Sequence, residues 1–205
     1  MSGSGPAGPE VMQLLDWRRR IRDLYAAVRA ETDPRRAFRL WCETRRELFG
    51  SHPQSPLPED RRSAIPRYYP YDPALRTTAR VSPASPVEIA LPGSGGQGFP
   101  ARRFGVAGFE LLGQACELSL FWLLDYAGGL LVAFRDATTG TETYGGGRYL
   151  LDTAKGADLG GGMEALRLDF NLAYQPSCAY DPRWSCPLPP PGSTLPLAIR
   201  AGERL

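Results

Sequence analysis

In residues 166–174, Leu166, Leu168, Phe170 and Leu172 alternate with Arg167, Asp169, Asn171 and Ala173, the period of a half-buried strand. Alternate residues on a strand stand about 6.8 Å apart, so a guanidinium, a carboxylate and an amide share one sheet face. Such a face can dock a small polar or anionic molecule, or it can be a solvated face laced by cross-strand pairs. Asp136 shares strand parity with Val132 and Phe134 and points toward the apolar side just as its strand ends. A carboxylate there has a raised pKa unless a cation or N–H groups meet it, which suits a general acid or base. Its alternative is to anchor the turn Ala137-Thr138-Thr139-Gly140 by side-chain to backbone bonds.

Tyr144-Gly145-Gly146-Gly147-Arg148 sets bare backbone N–H groups beside a guanidinium, either a cradle for an anion or a glycine-rich turn with a structural arginine. It lacks the Gly-Lys-Ser/Thr ending of a Walker loop and the glycine spacing of a dinucleotide fingerprint. These groups define a candidate ligand-binding set of Asp136, Thr138, Glu142, Tyr144, Arg148, Asp169, Asn171 and Tyr174. Within it, Asp136, Arg148, Asp169 and Asn171 are expected to meet in one pocket. The glycine-rich segment 156–162 is short enough to bring Arg148 to the 166–174 strand, where it would neutralise an inward-facing carboxylate.

Cys178 and Cys186 lack the spacing of paired zinc ligands, and the single histidine, His52, lies far off in a connector where capping or packing suits it. Neither a Ser-His-Asp nor a Cys-His site can be argued on one histidine. No catalytic residue, metal or cofactor is assigned, and all four cysteines are expected to be buried free thiols.

The elements that must position these residues fall in two regimes. Residues 1–10 are Gly, Ser and Pro with almost no apolar content, which predicts a disordered tail. Leu14, Trp17, Ile21, Leu24, Tyr25 and Val28 then recur at helical steps. Thr32-Asp33-Pro34 offers an N-cap, and Phe38, Trp41, Cys42, Arg45, Leu48 and Phe49 form a second stripe ending at Gly50. Residues 11–50 therefore read as a helical hairpin. Residues 51–100 read as a Pro/Gly-rich connector with strands near 76–81 and 87–91 and a loop at 93–98. From residue 101 the period becomes two: 104–112, 116–126 and 130–136 form a meander whose unbroken 130–134 run is covered on both faces, and Leu195, Leu197 and Ile199 make a closing strand. The fold class is mainly β (α+β), a hairpin on an antiparallel sandwich or partly closed barrel, with 51–205 forming one domain.

Residues 134–150 and 168–180 resemble the two signature blocks of the domain of unknown function 1684 (DUF1684) family. Residues 185–190 and 199–203 resemble its closing blocks, and His52 to Leu57 its early His-Pro-x-Ser-Pro-Leu element. The resemblance implies no activity and transfers no catalytic residue. The chain departs from the pattern at Gln175, where an asparagine is expected, and at Pro191 to Thr194, which replace an Asn-containing turn.

At 205 residues, 42% hydrophobic and 22% charged, the chain suits one globular core, and a net charge of +2 gives no field to gather nucleic acid or an anionic membrane. No basic start, apolar leader or spanning stretch is present, so a cytoplasmic protein is expected. The leading function is a pocket for a small polar or anionic molecule, with acid/base catalysis as an option. The alternative is a protein interaction module using the hairpin or the Tyr/Pro-rich segment 174–191.

Overall fold

The computed structural model describes residues 8–63, 66–126 and 128–205. The expected tail at 1–7 lies outside the described residues, while Gly8 to Glu10, read with it, already form the first helical turn. Helix α1 (Gly8–Ala30) buries Ile21, Leu24, Tyr25 and Val28 at steps of three and four. Helix α2 (Pro34–Ser51) starts where the sequence predicts: the Asp33 carboxylate accepts from the N–H groups of Arg35 and Arg36 at 2.9 and 3.4 Å, with proline in the first turn. Its inward stripe is Ala37, Trp41, Cys42, Arg45, Leu48 and Phe49, and the Trp41 indole donates to the Tyr25 hydroxyl at 3.2 Å, tying the helices together.

The described residues then form strands β1 (Arg67–Tyr68), β2 (Arg76–Pro92), β3 (Gly98–Leu111), β4 (Gln114–Leu123), β5 (Gly129–Phe134), β6 (Arg148–Asp152), β7 (Leu166–Asp169) and β8 (Glu203–Arg204). Six of them make one antiparallel sheet in the order β6-β5-β4-β3-β2-β7, and β1 pairs with β8. The two short strands expected in 51–100 are one long strand. Pro83 and Pro86, which have no N–H to give the ladder, sit in a register shift between Pro83 and Val87 instead of ending it. The β3–β4 hairpin turns through Leu112 (φ 51°) and Gly113 (φ 75°), the twin left-handed conformation that matches strand twist.

Closure comes from the far side. Past β7 the chain makes a 3-10 turn at Phe170–Leu172, and Tyr174 then exchanges backbone hydrogen bonds with Tyr149 on the opposite edge strand at 2.8 and 3.0 Å. The sheet thereby nearly closes into a barrel, the partly closed alternative of the sequence reading. β5 is covered on both faces as expected: Val132 and Phe134 enter the main core with the helices, while Leu131 and Ala133 enter a second cluster with Phe121, Tyr149, Cys178 and Cys186.

Three further expectations need correction. The 166–174 alternation stops at Asp169, because that side chain accepts from the Asn171 N–H and initiates the 3-10 turn, so Asn171 leaves strand parity. Leu195 to Ile199 form no strand. One bridge at Thr194 holds that segment against Arg135, and the closing strand is β8. Arg148, read as the end of a glycine-rich turn, opens β6.

Candidate functional site

Asp136 follows β5 and is buried, and every side of its carboxylate is occupied. Thr138 Oγ1 meets both oxygens at 2.9 Å, Thr139 Oγ1 donates at 3.1 Å, the Ile199 N–H at 2.7 Å, and Arg148 Nη2 at 3.4 Å. Arg148 is fully buried and donates also to the carbonyls of Ile199 at 2.7 Å, Glu203 at 3.2 Å and Ala201, with its guanidinium over the Phe134 ring. Burial pulls its pKa down, and the Asp136 charge pulls it back up. The cluster fastens residues 199–203 to the barrel.

Asp169 and Asn171 form a separate group. Asp169 Oδ1 accepts from the Asn171 N–H at 3.0 Å and amide at 2.9 Å, and the Asn171 amide grips the Asp72 backbone N–H and carbonyl at 2.8 Å each. Among the described residues no hydrogen bond or ion pair joins this group to Asp136 and Arg148; instead the Phe134 and Phe170 rings pack edge-on at 5.3 Å. The expected four-residue pocket is therefore two polar fastenings. Asp169 does edge an open groove of about 380 Å³ beside β7, shared with Arg76 and Arg167. Glu142 lies at the surface, forked by Arg200 at 2.7 and 3.0 Å and touched by the Tyr69 hydroxyl. Tyr144 donates its N–H to the Gln175 side chain at 2.9 Å. Gln175, the departure from the family pattern, also gives its own N–H to Glu203, so its amide serves the barrel end.

Tyr174 leads elsewhere, to a cavity of about 230 Å³ between the hairpin and the barrel. α1 supplies Trp17, Ile21 and Tyr25; α2 supplies Arg45 and Phe49; β6 supplies Tyr149 and Asp152; the returning chain supplies Tyr174, Ser177, Trp184 and Cys186. Arg45 is 4% exposed, its Nε and Nη2 both 2.7 Å from Glu203 Oε1, and its guanidinium lies 4.8 to 5.1 Å from the centroids of Tyr174, Phe49 and Trp41. Glu203 Oε2 takes the Gln175 N–H and the Tyr180 hydroxyl, each at 2.8 Å, so this ion pair is complete.

Asp152 is not. It is 3% exposed, and its Oδ1 finds no hydrogen-bond partner among the described residues. Burial raises its pKa above 3.8, opposed first by the charge of Lys155, then by a hydrogen bond from the Lys155 backbone and more weakly by the charge of Arg18; both of these exposed side chains also line the cavity. Such burial favours the protonated form of the carboxyl group. Sequence reasoning passed over it because strand β6 was not foreseen; with β6 in hand, an aspartate after Tyr149, Leu150 and Leu151 is the signal. Arg45 was legible as an arginine on an apolar helical stripe.

Beside the cavity the Cys178 thiol is lowered from its ordinary value, chiefly by a hydrogen bond with Cys186, whose own thiol is raised by that bond and by burial. All four cysteines are buried and free. His52 is structural: its Nδ1 accepts the Gln54 N–H at 3.0 Å and its Nε2 meets Asp16 at 3.1 Å. Among the described residues no cluster of three metal-ligating side chains exists, and no helix is long and apolar enough to cross a membrane.

A helical hairpin laid over a nearly closed antiparallel barrel, with an aromatic cavity between them, defines the class: mainly β, α+β. The chain belongs to the family described as protein of unknown function (DUF1684), whose model matches residues 65–204. It is similar to an uncharacterized protein of Haloarcula marismortui with a solution NMR structure, 36% identical over 80% of this chain and 91% of that one, with a TM-score of 0.59. No curated protein matches the chain.

Proposed function

We propose that this protein binds a small molecule with an apolar body and a polar group in the cavity between hairpin and barrel. One observation carries the reading: a cavity walled by Trp17, Tyr25, Phe49, Tyr149, Tyr174 and Trp184 has the buried Asp152 among its lining residues. A concave, mostly aromatic and aliphatic lining with a few polar groups is the usual form of a small-molecule site. A cavity of about 150 Å³ takes benzene, so about 230 Å³ accommodates one ring with a short chain. Asp136 is unsuited to an acid/base role, since it has no lone pair left to offer. The protein-partner reading draws less support, because the hairpin and the segment around 174–186 spend apolar side chains on enclosing the same cavity. Four buried free thiols favour a reducing, cytoplasmic setting.

A thermal-shift screen of small aromatic and aliphatic metabolites tests the reading, since a ligand selective for the folded state raises the melting temperature. The expected result is a set of hits abolished by Ser177→Phe, which fills the cavity from its half-exposed rim. Hits that survive this substitution place binding elsewhere and refute the proposal.

A further inference from the structure

We propose that the cavity takes a carboxylic acid with an apolar body, whose carboxylate is held at the mouth by Arg18 and Lys155 while the body lies inward among the rings. This rests on the reading of the cavity as a binding site and adds the charge of its occupant and the residues that meet it. The charged residues of the lining are Arg18, Arg45, Asp152 and Lys155, and they differ in what a guest can touch. Arg45 is 4% exposed and spends both Nε and Nη2 on Glu203, whose other oxygen takes the Gln175 N–H and the Tyr180 hydroxyl. Asp152 is 3% exposed, and its Oδ1 is closed off from solvent. Arg18 and Lys155 are the exposed pair, and among the described residues neither has a carboxylate within ion-pair distance. The charge within reach of a guest is therefore positive. Asp152 acts on both cations from farther off and, even fully ionised, offsets only one of their two charges.

The fold brings the two cations to one rim. Arg18 lies on α1, and Lys155 closes the short 3-10 turn Thr153–Lys155 that follows β6. Gly156 comes next, left-handed at φ 90°, and runs so near α1 that a Cβ there would stand 3.2 Å from the Arg22 Cα. Arg22 is one helical turn beyond Arg18 on the same side of the helix, so both cations stand where helix and turn meet. Inward of them α1 presents Trp17, Ile21 and Tyr25 to the cavity. A guanidinium takes the two oxygens of a carboxylate through paired N–H donors, and an ammonium adds a compact charge beside it. An ammonium guest would be repelled at this mouth, and a neutral guest would gain neither charge-assisted bond.

The probes are three matched molecules: 3-phenylpropionate, 3-phenylpropanol and 3-phenylpropylamine. Each is titrated into the full chain at neutral pH and low salt, followed by the indole N–H signals of Trp17 and Trp184 on the cavity wall, with exposed Trp122 on β4 as control. Lys155 is the only lysine of the chain, so methylating its amine, which keeps the charge, gives a single side-chain reporter at the mouth. The expected outcome is that the carboxylate binds about five- to tenfold more tightly than the alcohol, with the amine weakest. It should shift Trp17, Trp184 and Lys155 but not Trp122, and its advantage should shrink as salt is raised. Arg18→Gln combined with Lys155→Gln, both at exposed side chains, is expected to remove the advantage while 3-phenylpropanol still binds. Equal affinities for the three probes, a preference for the amine, or a carboxylate advantage that survives the double substitution overturns the carboxylate assignment and leaves the cavity as a binding site. Absence of shifts at Trp17 and Trp184 with every probe overturns both.

Discussion

Two aspartates stand near opposite ends of the β5–β6 ladder, where Phe134 pairs with Arg148 at one end and Leu131 with Asp152 at the other. They are buried alike, 5% exposed for Asp136 and 3% for Asp152. Their surroundings differ. Asp136 has two hydroxyls, a backbone N–H and a guanidinium, and through them it holds the returning segment 199–203 in place. Asp152 is among the residues lining the cavity, and its Oδ1 is buried without a hydrogen-bond partner among the described residues. Burial alone therefore says little about a polar residue's role; the count of its satisfied lone pairs separates a fastener from an unpaired group.

The largest effect should come from cutting the fastener. Arg148→Ala leaves Asp136 charged and unpaired and frees three carbonyls, so it should cost about 3 to 5 kcal/mol in chemical denaturation. A loss under about 1 kcal/mol would remove the basis for calling that end structural.

Asn171→Ala comes next, because it strips the Asp72 backbone of both partners and Asp169 of one. The expected loss is about 1 to 3 kcal/mol, with ligand-induced melting shifts unchanged. A selective loss of binding in this variant would move the site to the groove beside β7.

The smallest effect is the most specific. Burial raises the Asp152 pKa above 3.8, so as pH rises the unfolded chain ionises first and the folded state loses stability up to and through its own higher pKa. Asp152→Asn removes that loss. The variant and the parent should match in acid and separate from about pH 4 upward, with the variant more stable by about 1 kcal/mol near neutrality. The raised pKa of Asp169 is common to both proteins and cancels in the difference. A variant less stable than the parent at neutral pH would mean that the Lys155 backbone bond and charge outweigh the cost of burying the Asp152 carboxylate.

The parts of this architecture governed by local pattern were readable in the sequence. The α2 cap at Asp33, the helical stripes and the doubly covered run in β5 each follow from residues within a few positions of one another. The boundaries that failed were decided by distant partners. Asp169 ends its strand by capping a turn that Asn171 fastens to Asp72, and β6 is held along β5 on one side and, at Tyr149, by the returning Tyr174 on the other. The candidate site was half legible for the same reason. Polar residues in 134–174 were recognised as unusual, and Asp136 does meet Arg148, but whether each was saturated depended on residues 199–203, which pattern alone could not bring to them.

The cavity's walls are joined by contacts far apart along the chain: Arg45 and Glu203 are separated by 158 positions. Such closures carry a large loop entropy and form late in folding, after local hairpins and helices are in place. The cavity is then assembled only on the native side of the folding barrier. A guest that needs all its walls cannot assist the climb to the transition state and instead deepens the basin beyond it. Bound protein should unfold more slowly while refolding at an unchanged rate, so occupancy would be read as lifetime rather than as speed of folding.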